Sequence, residues 1–206
     1  MEEIRQFFRT RQKANLVMVA VNIVVFIILS FMGNTESGQF LYRCGAAYTP
    51  AILEGEYFRL VTAMFLHFGV YHLVNNMICL LFLGDMLEAN LGPVRYLIIF
   101  FVGGILGNAA SMAMDLRTGR YAVSAGASGA VFAVMGAMLC ILLMRRRENR
   151  SKSDGSLTQR FLLMSALSLV QGFTEQGTDN AAHLGGFVCG LALGFLFYRR
   201  RVRTGS

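Results

Sequence analysis

The sequence predicts an all-α polytopic membrane protein, a bundle of six transmembrane helices with a long outer loop between helices 1 and 2. Three observations carry this. Of 206 residues, 55% are hydrophobic and only 15% charged, more apolar material than a water-soluble domain of this size would keep off its surface. Six runs approach the roughly 20 apolar residues that cross a hydrocarbon core: 14–33, 70–88, 96–114, 125–144, 158–173 and 182–198. The charges are concentrated between those runs.

The first run follows Arg9, Arg11 and Lys13, so a cleaved signal peptide is the rival reading. Ala14 to Met32 is longer than a signal h-region and has no convincing small-residue cleavage site, so it is read as a span. The short N-terminus, 1–13, leaves no room for a folded regulatory domain. Asn34 to Gly69 is too long for a bare connection, and it mixes Phe40, Leu41, Tyr42, Tyr57, Phe58 and Phe65 with polar residues. That mixture fits a structure lying partly in the membrane interface and fits a packed extracellular loop equally well. The fifth run is the weakest. Its apolar part, Phe161 to Phe173, is short and carries Ser165, Ser168 and Gln171, so it needs burial in a bundle.

Charge placement supports that fifth span. With the N-terminus cytoplasmic, the inner segments hold Arg5, Arg9, Arg11, Lys13, Arg95, the Arg145–Arg160 cluster and the Arg199–Arg203 tail, fifteen of the nineteen Lys and Arg. The outer segments keep Arg43, Arg59, Arg117 and Arg120. The positive-inside rule then places both termini in the cytoplasm, whereas removing the fifth span would put the basic 199–206 tail outside. The net charge of +7 therefore reads as topology signals flanking spans, which argues against nucleic acid and makes the lipid bilayer the partner. One membrane domain, 14–198, accounts for the rest. Cys79, Cys140 and Cys189 lie inside apolar runs and Cys44 outside them, which suits small buried hydrophobes and offers neither a disulfide framework nor zinc spacing.

Polar residues within spans are costly and need a reason. Spans two, four and six all begin on the outer side, and there stand His72 and Asn76, Ser128, and His183 respectively. His72 and Asn76, four apart, share one helix face; alone, such a pair is as readily an interhelical hydrogen-bond pair. Ser128 sits in Gly126-Ala127-Ser128-Gly129, where flanking glycines admit close backbone approach and a helix N-terminus offers free N–H groups to an oxyanion. Small residues there also serve ordinary helix packing. His183 precedes Gly186, Gly190 and Gly194, a small-residue stripe that draws the sixth helix close to a neighbour. If that neighbour is the fourth span, kept slim by Ala130 and Ala133, the imidazole reaches the hydroxyl and can take its proton.

These residues together resemble a rhomboid protease across essentially the whole chain. The match rests on Phe58-Arg59, on His67 with His72-Leu73-Val74-Asn75-Asn76, on the Gly-Ala-Ser-Gly at 126–129, and on Ala182-His183-Leu184-Gly185-Gly186. The resemblance implies Ser128 as nucleophile, His183 as its base without a third carboxylate, and His72, Asn76 and the Ser128 N–H as oxyanion stabilisers. It implies structural roles for Arg59, whose neighbouring family tryptophan is Phe58 here, and for Glu88, matching a glutamate that ties helices together. Phe132 stands where relatives often have a tyrosine packing on the histidine, so an aromatic face is kept and a hydroxyl lost.

The expected activity is hydrolysis of a peptide bond in or near the transmembrane segment of single-span or polytopic membrane proteins, with no metal or cofactor. The resemblance implies substrates with easily unwound helices and a small residue before the cut. The expected location is a bacterial plasma membrane, with the site opening outward. The rival readings are a catalytically silent relative that binds transmembrane helices, and a small transporter, for which inverted repeats or a through-going polar path would be expected.

Overall fold

The computed structural model describes residues 12–149 and 178–204. The span expected at 158–173 lies outside the described residues. Helix α1 covers Lys13–Met32; three short helices follow, α2 (Gly38–Arg43), α3 (Thr49–Leu53) and α4 (Arg59–Thr62), the last running into a 3₁₀ turn, Ala63–Phe65. Helix α5 spans Gly69–Leu91 with a π turn at Leu80–Gly84 inside it, α6 spans Pro93–Thr118, α7 Ser128–Asn149 and α8 Asn180–Thr204. Five of these, α1, α5, α6, α7 and α8, are long and apolar enough to cross a membrane. Expected and observed spans agree within a few residues at most ends; α6 begins earlier because Pro93 suits a first helical position, and α8 runs on through Thr204.

Helix α7 is the centre of the bundle: 78% of its spanning window is buried, against 28–33% for the other four. Its own composition makes this possible. Where Gly103 of α6 and Gly190 of α8 meet Ala133, an added Cβ would lie 2.1 Å from the alanine Cβ and 1.9 Å from its carbonyl oxygen. Helices in lipid gain stability from such close backbone contact, having no hydrophobic force to press them together.

At one end of the bundle, carboxylates from α5 cap the start of α1. Asp85 Oδ1 accepts from the Gln12 N–H (2.8 Å), while Glu88 accepts from Ala14 (3.2 Å) and Asn15 (2.7 Å). First-turn N–H groups lack intrahelical partners and carry the positive end of the helix dipole, so anions stabilise them. The Asn15 side chain, fully buried, donates to the Leu80 carbonyl at the π turn (2.8 Å) and accepts from the Tyr96 hydroxyl (2.7 Å). Gly84 makes room, since a Cβ there would come 2.2 Å from Asn15 Oδ1. Glu88→Ala should therefore lower stability by about 1.5–3 kcal/mol per charged hydrogen bond lost, read as a fall in thermal midpoint in detergent.

At the opposite end, the segment from Gly33 to Phe68 folds into a cap. Buried Arg59 holds it: Nη1 donates to the carbonyls of Tyr42 (2.7 Å) and Ala46 (2.9 Å), Nε pairs with Glu56, and the guanidinium lies 4.4 Å from the Tyr42 ring centroid and 5.4 Å from that of Phe58. A two-way backbone bridge joins Ala47 to Ser124, both bonds 2.9 Å, and the Thr49 hydroxyl donates to Asp115 on α6 (2.6 Å). The cap is thereby tied to the turn that leads into α7.

Candidate active site

The turn before α7 is shaped by Gly126. Its N–H donates to the Ala63 carbonyl (2.9 Å) and its φ is +142°, a region L side chains rarely adopt. Space excludes a side chain as well, because a Cβ would lie 2.7 Å from His72 Cε1 and 2.9 Å from its Nε2. The Ser128 hydroxyl stands 3.6 Å from the same point. The first residue of α7 and the first turn of α5 thus face each other across a glycine. Gly126→Ala would force either the turn or the His72 ring to move.

His67 supports this turn from beneath. It is buried, its Nε2 accepts from the Ala127 N–H (3.4 Å), and its ring meets that of His72 edge-on with centroids 5.2 Å apart. An accepting Nε2 requires the neutral ring with its proton on Nδ1. Burial, and next the neighbouring His72, lower its pKa from the ordinary value to about 3. An unfolded chain binds a proton at His67 below about pH 6.5 and the folded one does not until about pH 3, so His67 removes stability as pH falls through that window. His67→Gln, which keeps an acceptor, should show a flatter fall in thermal midpoint from pH 7 to pH 4 than the parent chain.

Asn76, also buried, spends one side-chain N–H on the His72 carbonyl of its own helix (3.0 Å). One further N–H remains for another acceptor.

His183 occupies the first turn of α8, its ring stacked on Phe132 at 4.3 Å between centroids and 20° between planes. Phe132 lies one turn after Ser128 on α7. The α7–α8 contact that brings them together is made by the glycine stripe: a Cβ on Gly186 would be 2.1 Å from the Gly129 carbonyl, one on Gly190 1.9 Å from that of Ala133, and one on Gly194 2.7 Å from Ala137 Cα. Among the described residues, no hydrogen bond joins the Ser128 hydroxyl to the His183 ring, whose Nδ1 is buried without a partner. Catalytic hydrogen bonds are often long before substrate arrives. Glu88 and Arg59 stand apart from this cluster, in the capping networks described above.

Sequence reading missed Asp179, one turn before His183. Its carboxylate caps α8 and binds Ser111 and Ser124. An Asp directly before an apolar helical run is an N-cap signal that would have flagged it.

The parts assembled here are those acyl transfer needs: a hydroxyl at the positive end of a long helix, N–H donors nearby, and histidines from two other helices. Residues 54–200 match the family model described as the Rhomboid domain. The chain belongs to the rhomboid family. All four rhomboid motifs quoted above fall inside the matched range, whereas α1 precedes it. Similar proteins include "Rhomboid protease GluP" of Bacillus subtilis (strain 168), 32% identical over 84% of this chain and 32% of that protein, and "RHOMBOID-like protein 5" of Arabidopsis thaliana, 37% identical over 78% and 50%. "Rhomboid-like protease 3" of Toxoplasma gondii is 28% identical over 90% of this chain and 69% of its own length. The chain spans about a third to a half of the length of the first two. It is thus a multi-pass membrane protein of a rhomboid family whose named members include proteases.

Proposed function

We propose that this chain is an intramembrane serine endopeptidase that cuts other membrane proteins in or beside their transmembrane segments. Ser128 attacks the scissile carbonyl, His183 takes its proton and later returns it to the leaving amine, and an acyl-enzyme on Ser128 is released by water. His72, Asn76 and the Ser128 N–H receive the oxyanion. Membership of a family with named proteases supports the reaction class. The single observation that carries the residue assignment is the α7–α8 contact, which stacks His183 on Phe132 one turn below Ser128 while His72 faces the hydroxyl across Gly126. A plasma membrane is proposed from the family resemblance and the six-span form alone; the distribution of Lys and Arg supports the orientation, with both termini cytoplasmic and the site opening outward.

The competing reading is a silent rhomboid-like protein that binds transmembrane helices without cutting them. Intact Ser128 and His183 in one helix–helix contact favour the protease. The chain reconstituted in liposomes with a fluorescent single-span substrate decides between them. Cleavage that disappears with His183→Ala supports the protease; binding of the substrate helix without cleavage supports the silent relative.

A further inference from the structure

We infer that Asp179 is a positioning residue that fixes the axial register of the His183 helix against the Ser128 turn, an inference resting on the protease reading above. Both of its carboxylate oxygens accept hydrogen bonds. Oδ1 accepts from the Ala182 N–H in the first turn of α8 (2.9 Å), and Oδ2 accepts from the hydroxyls of Ser111 on α6 (2.6 Å) and Ser124 before α7 (2.7 Å). Three donors hydrogen-bond this partly buried carboxylate, which offsets the cost of removing it from water.

The arrangement answers a mechanical need. The glycine stripe brings α8 within backbone contact of α7, which sets the lateral distance between the helices. A stripe without side chains offers few knobs to stop the helix sliding along its axis. Asp179 supplies the stop: the same carboxylate holds the α8 N-terminus, the α6 helix, and Ser124, whose backbone is already bridged to Ala47 of the cap. His183 follows on the next turn, its N–H donating to the Asp179 carbonyl (3.1 Å). Asp179 does not hold the imidazole, since its oxygens go elsewhere and His183 Nδ1 has no partner. Its role is therefore distinct from that of a triad carboxylate.

The test uses the whole chain in liposomes, with kcat and KM on the single-span substrate, the labelling rate of a fluorophosphonate probe, and thermal midpoints. Displacing a reacting group by about 1 Å can cost on the order of 100-fold. Asp179→Ala should thus lower kcat and labelling by roughly 10- to 100-fold while KM stays within about threefold, the mark of a lost transition-state geometry. Asp179→Asn has the same shape, caps helices equally well, and can donate to both hydroxyls, so it should recover kcat to within about threefold of the parent. Should Asp179→Ala fold poorly, the double variant Ser111→Ala with Ser124→Ala keeps the cap and removes the tether; it should fold with a midpoint lowered by the two lost hydrogen bonds and with reduced kcat. Parent-like kcat in folded Asp179→Ala or in the double variant, or Asp179→Asn no better than Asp179→Ala, overturns the inference. Equal labelling of Ser128→Ala and the parent chain would instead overturn the protease reading beneath it.

Discussion

His183→Ala should lower cleavage of a single-span substrate by on the order of 10⁴-fold or more, and the double variant with Ser128→Ala should be no worse than either single one. A serine hydroxyl is a poor nucleophile until a base removes its proton, so the two groups act as one device and their losses do not add. Binding should survive. An imidazole whose proposed role is to take the Ser128 proton acts on turnover, so KM for any residual activity, or a direct binding measurement, should change little. His183→Ala also removes the stack on Phe132, and aromatic pairs of this kind are worth about 0.5–1.5 kcal/mol. The thermal midpoint should accordingly fall only slightly while turnover collapses. Multiplying losses in the double variant would show that the residues act independently.

The second large effect lies in packing. Gly190→Val would drive a side chain into Ala133, whose carbonyl oxygen and Cα lie 1.9 and 2.7 Å from the position of an added Cβ. Both contacts are backbone within long helices, so neither can yield locally and α8 must move off α7. Overpacking of this kind costs about 1–3 kcal/mol and occasionally more. The catalytic cost should exceed the stability cost, because a shift of about 1 Å at His183 is worth on the order of 100-fold in rate. Leu184→Ala is the contrast: this side chain is half exposed at the bundle's outer surface beside His183, and its loss should leave turnover within about twofold of the parent. Equal damage from the two substitutions would show that the glycine stripe does not set the geometry of the site.

How legible this was in the sequence differs between apolar and polar features. Apolar runs announced α1, α5, α6, α7 and α8, because lipid leaves a spanning segment little choice but a continuous helix. The glycine stripe on α8 and Ala133 on α7 were readable as a contact face, since small residues at helical spacing admit a close neighbour, whereas Ala130, expected on the same face, lies toward Gly104 of α6. The interior of the Gly33–Phe68 cap was not. Its helices are four to six residues long, too short for a period to emerge, and Arg59 organises them through carbonyls that any residue could have supplied. The π turn in α5 was also hidden; its Leu80 carbonyl is taken by Asn15 from α1, a long-range partner no local pattern announces. Asn15 and Asn22, both fully buried within an apolar run, were visible as polar residues in a span and should have prompted a search for partners. Asp179 was overlooked because the sixth span was read from the first apolar residues onward, leaving its cap outside. At the site, the sequence placed His72, Ser128 and His183 near helix starts, as the structure does, whereas the turn that presents Ser128 to His72 depends on the φ of Gly126 and its bond to Ala63, which no spacing encodes.

The most direct test of the account is the position of a fluorophosphonate adduct on the detergent-purified chain, mapped by peptide mass spectrometry. The account predicts one adduct, on Ser128, lost in Ser128→Ala and nearly lost in His183→Ala. An adduct on another residue, or undiminished labelling of Ser128 in His183→Ala, would contradict it.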